Sequence, residues 1–155
     1  APHKIKGEQI DQLRKSITKK TGLFSEKEGK DLSSFAVFIV DTIGILTKIY
    51  SYADIAYVGG GFGNPGVHNI LEPATFGIPI VIGPNYSHFA EATALVENGG
   101  CVSVSNQQQL NDAFENLIRN EDIRGEKGNI CGTFVQMNKN ATDIILKQIT
   151  DAGDL

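Results

Sequence analysis

Apolar positions along the chain switch repeatedly between continuous short runs and a helical spacing. Residues 35–40 form a continuous apolar run of strand length, which is typical of a strand covered on both faces in a parallel sheet. Shorter runs predict further buried strands at 55–58, 79–83 and 101–104. Strands that alternate with helices at short intervals predict an α/β fold with an open, mostly parallel sheet flanked by helices.

Helical stretches lie around these strands. Residues 8–20 predict an amphipathic helix, because apolar side chains recur at helical spacing among charged neighbours. Residues 22–34 are polar and contain two glycines, so they are predicted to form a loop. Further helices are predicted at 43–52, from 67 or 68 to beyond Ala74, and at 88–97. After Gln107 the apolar helix faces are predicted to be Leu110, Phe114, Leu117 and Ile118, and then Ile144, Ile145 and Ile149.

The composition is that of one ordinary domain. The chain has 155 residues, of which 41% are hydrophobic, and this is enough for a core at that length. The formal net charge of −4 gives no overall basic field for nucleic acid. No apolar run reaches the roughly 18 to 20 residues that a membrane helix needs. Cys101 and Cys131 lack metal-type spacing and are expected to be buried thiols of a reduced compartment.

The first residues of the chain resemble a loop that follows a strand. Ala1, Pro2 and His3 are not followed by the apolar stretch of a signal peptide. We therefore expect a single domain over residues 1–155 and a further domain upstream of Ala1.

Predicted loops cluster at one edge of the predicted sheet. Parallel sheets bind their ligands at the carboxyl ends of their strands. The loops 41–44, 59–69 and 83–88 each follow a predicted strand, and the segment of Pro2 and His3 would be a fourth if a strand preceded it. The sequence therefore predicts a binding site at this edge.

A glycine-rich loop over residues 59–66 is the strongest local feature. It leads into a predicted helix that begins near His68, and a helix start with unpaired N–H groups favours an anion. The alternative is a tight strand-to-helix turn that holds no ligand. The loop is not a P-loop, because no Gly-Lys-Ser/Thr follows, and its glycine spacing does not match the dinucleotide fingerprint.

Asn69 and Glu72 lie one helical turn apart and are predicted to share a face. A carboxylate at this place is suited to accept hydrogen bonds from a pair of sugar hydroxyls. The alternative is that Glu72 only interacts favourably with the helix dipole. Pro73 would destabilise a helix interior by about 3 kcal/mol, which indicates a bent helix or one that starts late, near Glu72.

Other kinds of chemistry receive little support. His68 could cap the helix, contact a phosphate or pack, and His88 with Glu91 reads as an exposed pair. No metal-binding cluster and no Asp-x-Asp motif is present, so no metal site is predicted. No Ser/His/Asp or Cys/His arrangement can be argued from residue order, so no catalytic residue is assigned to this chain.

Four segments together carry a resemblance to a known family. They are residues 41–44, 53–60, 68–74 and 83–85. With them, the chain resembles the C-terminal domain of bacterial 3-deoxy-D-manno-octulosonic acid (Kdo) transferases over roughly residues 1–145. The most specific piece is His-Asn-x-Leu-Glu-Pro, which follows a glycine loop and precedes Gly-x-Pro. The resemblance implies a Rossmann-like domain that forms the C-terminal half of a GT-B fold.

The resemblance also implies which residues contact the donor, CMP-Kdo. Glu72 is implied as the acceptor of ribose hydroxyl hydrogen bonds. The full implied donor-binding set is Pro2, His3, Ile43, Gly44, Ile45, Gly60, Gly61, Gly66, His68, Asn69, Ile70, Leu71 and Glu72. The chain departs from the family in two places: many members have Arg-His at Pro2-His3, and Gly-Gly-His-Asn at residues 66–69.

The resemblance further implies the activity of the whole enzyme. It is an inverting transfer of Kdo from CMP-Kdo to lipid A precursor, at the cytoplasmic face of the bacterial inner membrane, without a metal or another cofactor. The catalytic base, the acceptor and the membrane contact would belong to the N-terminal domain, so this chain alone is expected to be soluble and inactive. Two alternatives stay open: a GT-B enzyme that uses a UDP-sugar, either a transferase or an epimerase, and a non-catalytic α/β binding module.

Overall fold

The computed structural model describes residues 1–2 and 5–139. His3 and the predicted helix face of Ile144, Ile145 and Ile149 therefore lie outside the described residues. The chain divides into two compact units, Ala1–Ile49 and Tyr50–Leu155. No helix in the described ranges is both long and apolar enough to span a bilayer.

The first unit contains a short parallel pair of strands. Its elements are α1 (Gly7–Ser16), β1 (Thr21–Leu23), two 3-10 turns (Phe24–Glu26 and Leu32–Ser34) and β2 (Val37–Ile39), and α2 (Leu46–Tyr50) continues into the second unit. Strands β1 and β2 pair in parallel, with Thr21 opposite Val37 and Leu23 opposite Ile39. The predicted strand over 35–40 is confirmed.

The prediction of a loop from residue 22 onward is wrong at its start, because β1 is a strand. Glycine at position 22 predicts a turn, but in the structure it lies beneath two aromatic rings. A Cβ atom there would lie 2.9 Å from Phe38 Cε1 and 3.1 Å from Phe35 Cδ1. The glycine is thus required by packing. The helix before it ends at Ser16 and not at residue 20, since the chain needs those residues to enter the strand.

The second unit is built around a three-stranded parallel sheet. In chain order it comprises β3 (Ala56–Val58), α3 (Leu71–Ala74), β4 (Ile80–Ile82), α4 (Ala90–Glu97), β5 (Cys101–Ser103), α5 (Gln107–Arg119) and α6 (Glu121–Met137). Strand β4 lies between β3 and β5, and both pairings are parallel. The predicted α/β class with parallel strands is confirmed.

Strand β4 forms the centre of the core of the second unit. Its three residues are completely buried, because the two faces of the strand contact different clusters. Ile80 and Ile82 pack in the larger cluster with Leu95 of α4. Val81 faces the opposite way and packs with Leu117 of α5 and with Val104. A continuous apolar run is the expected sequence of a strand covered on both faces.

The two cysteines lie in the larger cluster as buried free thiols, as predicted. Burial raises the pKa of Cys131 to about 11. Burial, together with the neighbouring Cys131, raises the pKa of Cys101 to about 12. Thiols with such high pKa values stay protonated at neutral pH and are poor nucleophiles, so they act here as packing groups.

The predicted face of α5 is partly wrong. Leu117 is 1% exposed and packs in the smaller cluster, whereas Ile118 is 64% exposed. Leu110 packs against the same smaller cluster. Successive residues of a helix are turned by about 100°, so two neighbours cannot both point at the sheet. Leu117 and Ile118 are both apolar, so the sequence does not show which of them is buried. In the packed structure it is Leu117.

Candidate functional site

The glycine loop at the carboxyl end of β3 packs against the loop that follows β4. Asn85 N–H donates to the Gly61 carbonyl at 2.8 Å, and Val67 N–H donates to the Asn85 carbonyl at 3.1 Å. Within the glycine loop, His68 N–H donates to the Gly59 carbonyl at 2.9 Å. The first two bonds link the loop after β3 to the loop after β4, and the third closes the glycine loop on itself.

Glycines in this loop are explained by close contacts between the backbone segments themselves. A Cβ atom on Gly61 would lie 2.8 Å from Gly83 Cα. Gly60 has a φ of +92°, and a Cβ atom there would run into the Gly66 carbonyl oxygen. Gly66, with a φ of +80°, would place a Cβ atom against the Phe89 ring. This packing supplies a reason for the three glycines without a ligand, and their contact with a donor stays a prediction.

The helix after the loop begins later than predicted. Helix α3 starts at Leu71 and not at Val67 or His68. The N–H groups of Gly66, Val67 and His68 are not available to an anion, because each donates to a backbone carbonyl. Of the N–H groups near Gly66 to Asn69 that are predicted to bind the donor phosphate, only that of Asn69 lacks a backbone acceptor among the described residues, and its contact with a phosphate stays a prediction.

Pro73 explains the late start of α3. It is the third residue of the helix, where an N–H group would lack an intrahelical partner in any case, so the proline breaks no hydrogen bond. The sequence-based interpretation that the helix starts late is confirmed. Within the described part of the chain, the N–H groups of Asn69, Ile70 and Glu72 have no acceptor. The available backbone donors thus lie at the end of the loop.

Asn69 and Glu72 contact each other, but not on one helix face as predicted, because Asn69 precedes α3. The Asn69 amide makes two hydrogen bonds: Oδ1 accepts from Leu71 N–H at 3.0 Å, and Nδ2 donates to Glu72 Oε1 at 3.2 Å. Glu72 is half-buried, and Asn69 is exposed. Burial, and then the negative charge of Glu72, raise the pKa of the Tyr50 phenol, so this tyrosine lies within electrostatic reach of the carboxylate.

A cavity of about 340 Å³ lies beside this pair. One wall comes from the end of the glycine loop and the start of α3, and the other from the start of α4. The residues that line it are Val67, His68, Asn69, Ile70, Leu71, Phe89, Glu91 and Ala92. Four of the predicted site residues, from His68 to Leu71, therefore meet in one cavity. No sequence pattern indicated that Phe89 would form part of the opposite wall.

A larger groove, of about 850 Å³, runs along α6 and is not part of this site. Its lining includes the carboxylates of Glu121, Asp122 and Glu126. Three acidic side chains in one groove repel a phosphate, so size alone does not make it the nucleotide site. No group of three or more His, Cys, Asp and Glu side chains suited to a metal ion occurs among residues 1–2 and 5–139.

Five predicted site residues belong to the first unit, and all of them except His3 are among the described residues. Pro2 and Ile45 are half-buried. Gly44 is exposed and has a φ of +84°, which suits a sharp turn after β2. Ile43 is 90% exposed, which is unusual for an isoleucine and leaves its side chain available to a ligand or a partner surface.

Asp41, at the carboxyl end of β2, has an internal role that the sequence did not reveal. Its Oδ1 accepts from Ser25 N–H at 2.9 Å, and its Oδ2 accepts from Ser25 Oγ at 2.6 Å. Burial raises the pKa of Asp41, but the Ser25 hydrogen bonds outweigh this effect, and the net pKa is below the usual value. Asp41 thus anchors the turn after β1 and does not serve as a ligand group.

Several known proteins similar to the chain are 3-deoxy-D-manno-octulosonic acid transferases. The chain is 37% identical over 138 residues to a 3-deoxy-D-manno-octulosonic acid transferase of Chlamydia trachomatis, a match that covers 83% of the chain and 31% of the relative. A transferase of the same name from Aquifex aeolicus is 40% identical over 101 residues, covering 64% of the chain and 27% of the relative. The chain thus spans about a third of the length of these relatives. No protein-family model matches it.

A solved structure has the same fold. It is the C-terminal CMP-Kdo binding domain of WaaA from Acinetobacter baumannii, with a TM-score of 0.72 and 23% sequence identity. The match covers 83% of the chain and 67% of that domain. The predicted Rossmann-like fold of a C-terminal GT-B half is confirmed, and so is the resemblance to the Kdo transferases that the four sequence segments carried.

Proposed function

We propose that this chain is the donor-binding domain of a Kdo transferase and that it binds CMP-Kdo at the edge formed by the glycine loop, α3 and the start of α4. One observation carries the proposal: Glu72 is held by Asn69 beside an open cavity, within the segment that is most specific to the family. The fold match and the sequence matches to Kdo transferases support it.

In this proposal the donor phosphate and ribose are bound by different groups. The N–H groups of Asn69 and Ile70 are the backbone donors available to the phosphate. A four-residue helix contributes little dipole, so hydrogen bonds from these amides, and not the dipole of α3, provide the attraction. The Glu72 carboxylate would repel the phosphate and is instead suited to accept from ribose hydroxyls.

The remaining roles belong to the complete enzyme. We propose that it transfers Kdo with inversion to lipid A precursor, at the cytoplasmic face of the inner membrane, and that it uses neither a metal nor another cofactor. The acceptor, the membrane contact and the catalytic base are assigned to an N-terminal domain. This assignment is supported by the fact that the chain matches only about a third of each relative. The chain alone is expected to bind CMP and to transfer nothing.

Titration of the chain with CMP, followed by amide NMR, tests the site. The amides of Asn69 and Ile70 are expected to shift most, because they lack an internal acceptor and line the cavity. CMP is expected to bind more tightly than UMP or UDP. Shifts confined to the groove along α6 would show that the wrong cavity has been chosen, and preference for UDP would favour an enzyme that uses a UDP-sugar.

Replacement of Glu72 with glutamine is expected to weaken CMP binding by roughly 1.5 to 3 kcal/mol, the strength of a hydrogen bond to a charged group. The thermal midpoint should change little, because Glu72 forms no ion pair within the described residues. Glu97→Gln is the matched control, since Glu97 lies on α4 outside the lining of the cavity and is exposed. Unchanged CMP affinity together with a lower midpoint would instead support a helix-dipole role for Glu72.

A further inference from the structure

Both polar atoms of the Asn69 side-chain amide form a hydrogen bond. Its oxygen accepts from the backbone N–H of Leu71, and its nitrogen donates to the Glu72 carboxylate. Only one orientation of the amide satisfies both partners, because the backbone group requires an acceptor and the carboxylate requires a donor. The side chain therefore forms a rigid bridge from the backbone at the start of α3 to one oxygen of Glu72.

The bridge from Asn69 holds one oxygen of Glu72. Within the described residues, its Oε1 receives the bond from Asn69, while Oε2 receives no hydrogen bond, and no Lys, Arg or His pairs with the carboxylate. A glutamate side chain loses up to about 2 kcal/mol of conformational entropy when it is ordered. Without Asn69, a ligand that uses Glu72 would have to order the side chain itself.

We propose that Asn69 is a positioning residue that holds Glu72 with Oε2 available to the ribose hydroxyls of the donor, and that it thereby sets the preference for a ribonucleotide over a nucleotide without these hydroxyls. The proposal rests on the proposed function and deepens it. Asn69 acts through Glu72, so its removal weakens binding only when the ligand carries ribose hydroxyls. The proposal is based on the two hydrogen bonds of the Asn69 amide, at 3.0 Å to Leu71 N–H and at 3.2 Å to Glu72 Oε1.

Two substitutions separate this role from ordinary helix capping. Asn69→Ser keeps an oxygen that can accept from Leu71 N–H, as serine does at helix starts, but its side chain is too short to donate to Glu72. Asn69→Ala loses both bonds. If Asn69 positions Glu72, both variants lose the ribose preference, whereas only Asn69→Ala lowers the thermal midpoint. If Asn69 is only a cap, Asn69→Ser behaves like the unmodified chain in both measurements.

The experiment measures the affinity of each chain for CMP and for 2′,3′-dideoxy-CMP by calorimetry. The unmodified chain is expected to prefer CMP about tenfold or more, the factor that a hydrogen bond to a charged group supplies. In Asn69→Ser this ratio is expected to fall at least threefold, because the affinity for CMP falls more than the affinity for dideoxy-CMP. In a Glu72→Gln background, the added Asn69→Ser change is expected to alter the ratio little, because both residues act through one contact.

The outcomes distinguish the two proposals. If the unmodified chain binds neither nucleotide, or binds both equally, the proposed donor site fails. If it prefers CMP and Asn69→Ser retains that preference, the donor site stands and the positioning role is overturned. If the Asn69→Ser effect persists in full in the Glu72→Gln background, Asn69 does not act through Glu72, and the inference is again overturned.

Discussion

Alanine at position 60 is expected to destabilise the second unit by about 3 kcal/mol or more and to abolish CMP binding with it. Gly60 has a φ of +92°, a region that costs an alanine roughly 1 to 2 kcal/mol. The added Cβ atom would also run into the Gly66 carbonyl oxygen, a backbone atom that cannot rotate away. Overpacking of this kind adds about 1 to 3 kcal/mol. Urea denaturation of the two chains measures the difference.

The neighbouring glycine supplies a matched control. A Cβ atom on Gly59 would meet only His68 Cδ2, at 3.8 Å, which is an ordinary van der Waals distance. Its φ is not positive, so alanine is tolerated there without backbone strain. Gly59→Ala is therefore expected to change the free energy of unfolding by less than about 1 kcal/mol. Equal destabilisation by the two substitutions would contradict the packing of the loop described above.

Truncation of Leu117 to alanine is expected to lower the free energy of unfolding by about 2 to 5 kcal/mol, the range for a buried leucine. Leu117 is 1% exposed and packs with Val81 and Val104 beneath the sheet, so its removal leaves a cavity. Ile118, the next residue of the same helix, is 64% exposed. The free energy of unfolding of Ile118→Ala is expected to stay within about 0.5 kcal/mol of that of the unmodified chain. Thermal denaturation of both variants tests the pair, and a larger effect at Ile118 would mean that the wrong face of α5 has been placed against the sheet.

The sequence by itself determined the class of the fold and one part of the site. Buried strands carry continuous apolar runs because they are covered on both faces, and this local pattern was sufficient to place strands β2 to β5. Asn69 and Glu72 are predicted to lie close together because three residues make nearly one helical turn, and they do contact each other, although Asn69 precedes α3. The family-specific segment around these residues indicated the Kdo transferases without any coordinates.

Tertiary structure alone decided which contacts the loop residues make. The N–H groups near Gly66 to Asn69 are predicted to bind an anion, but those of residues 66–68 donate to backbone carbonyls, one of them the carbonyl of Asn85 in the loop after β4. Glycine at position 22 predicts a turn from the sequence, but the residue lies in a strand under Phe35 and Phe38. Local periodicity records only whether a residue is apolar and how often such residues recur. It carries no information on which distant backbone groups pair, and those long-range pairings determine where α3 starts and why the glycines are needed.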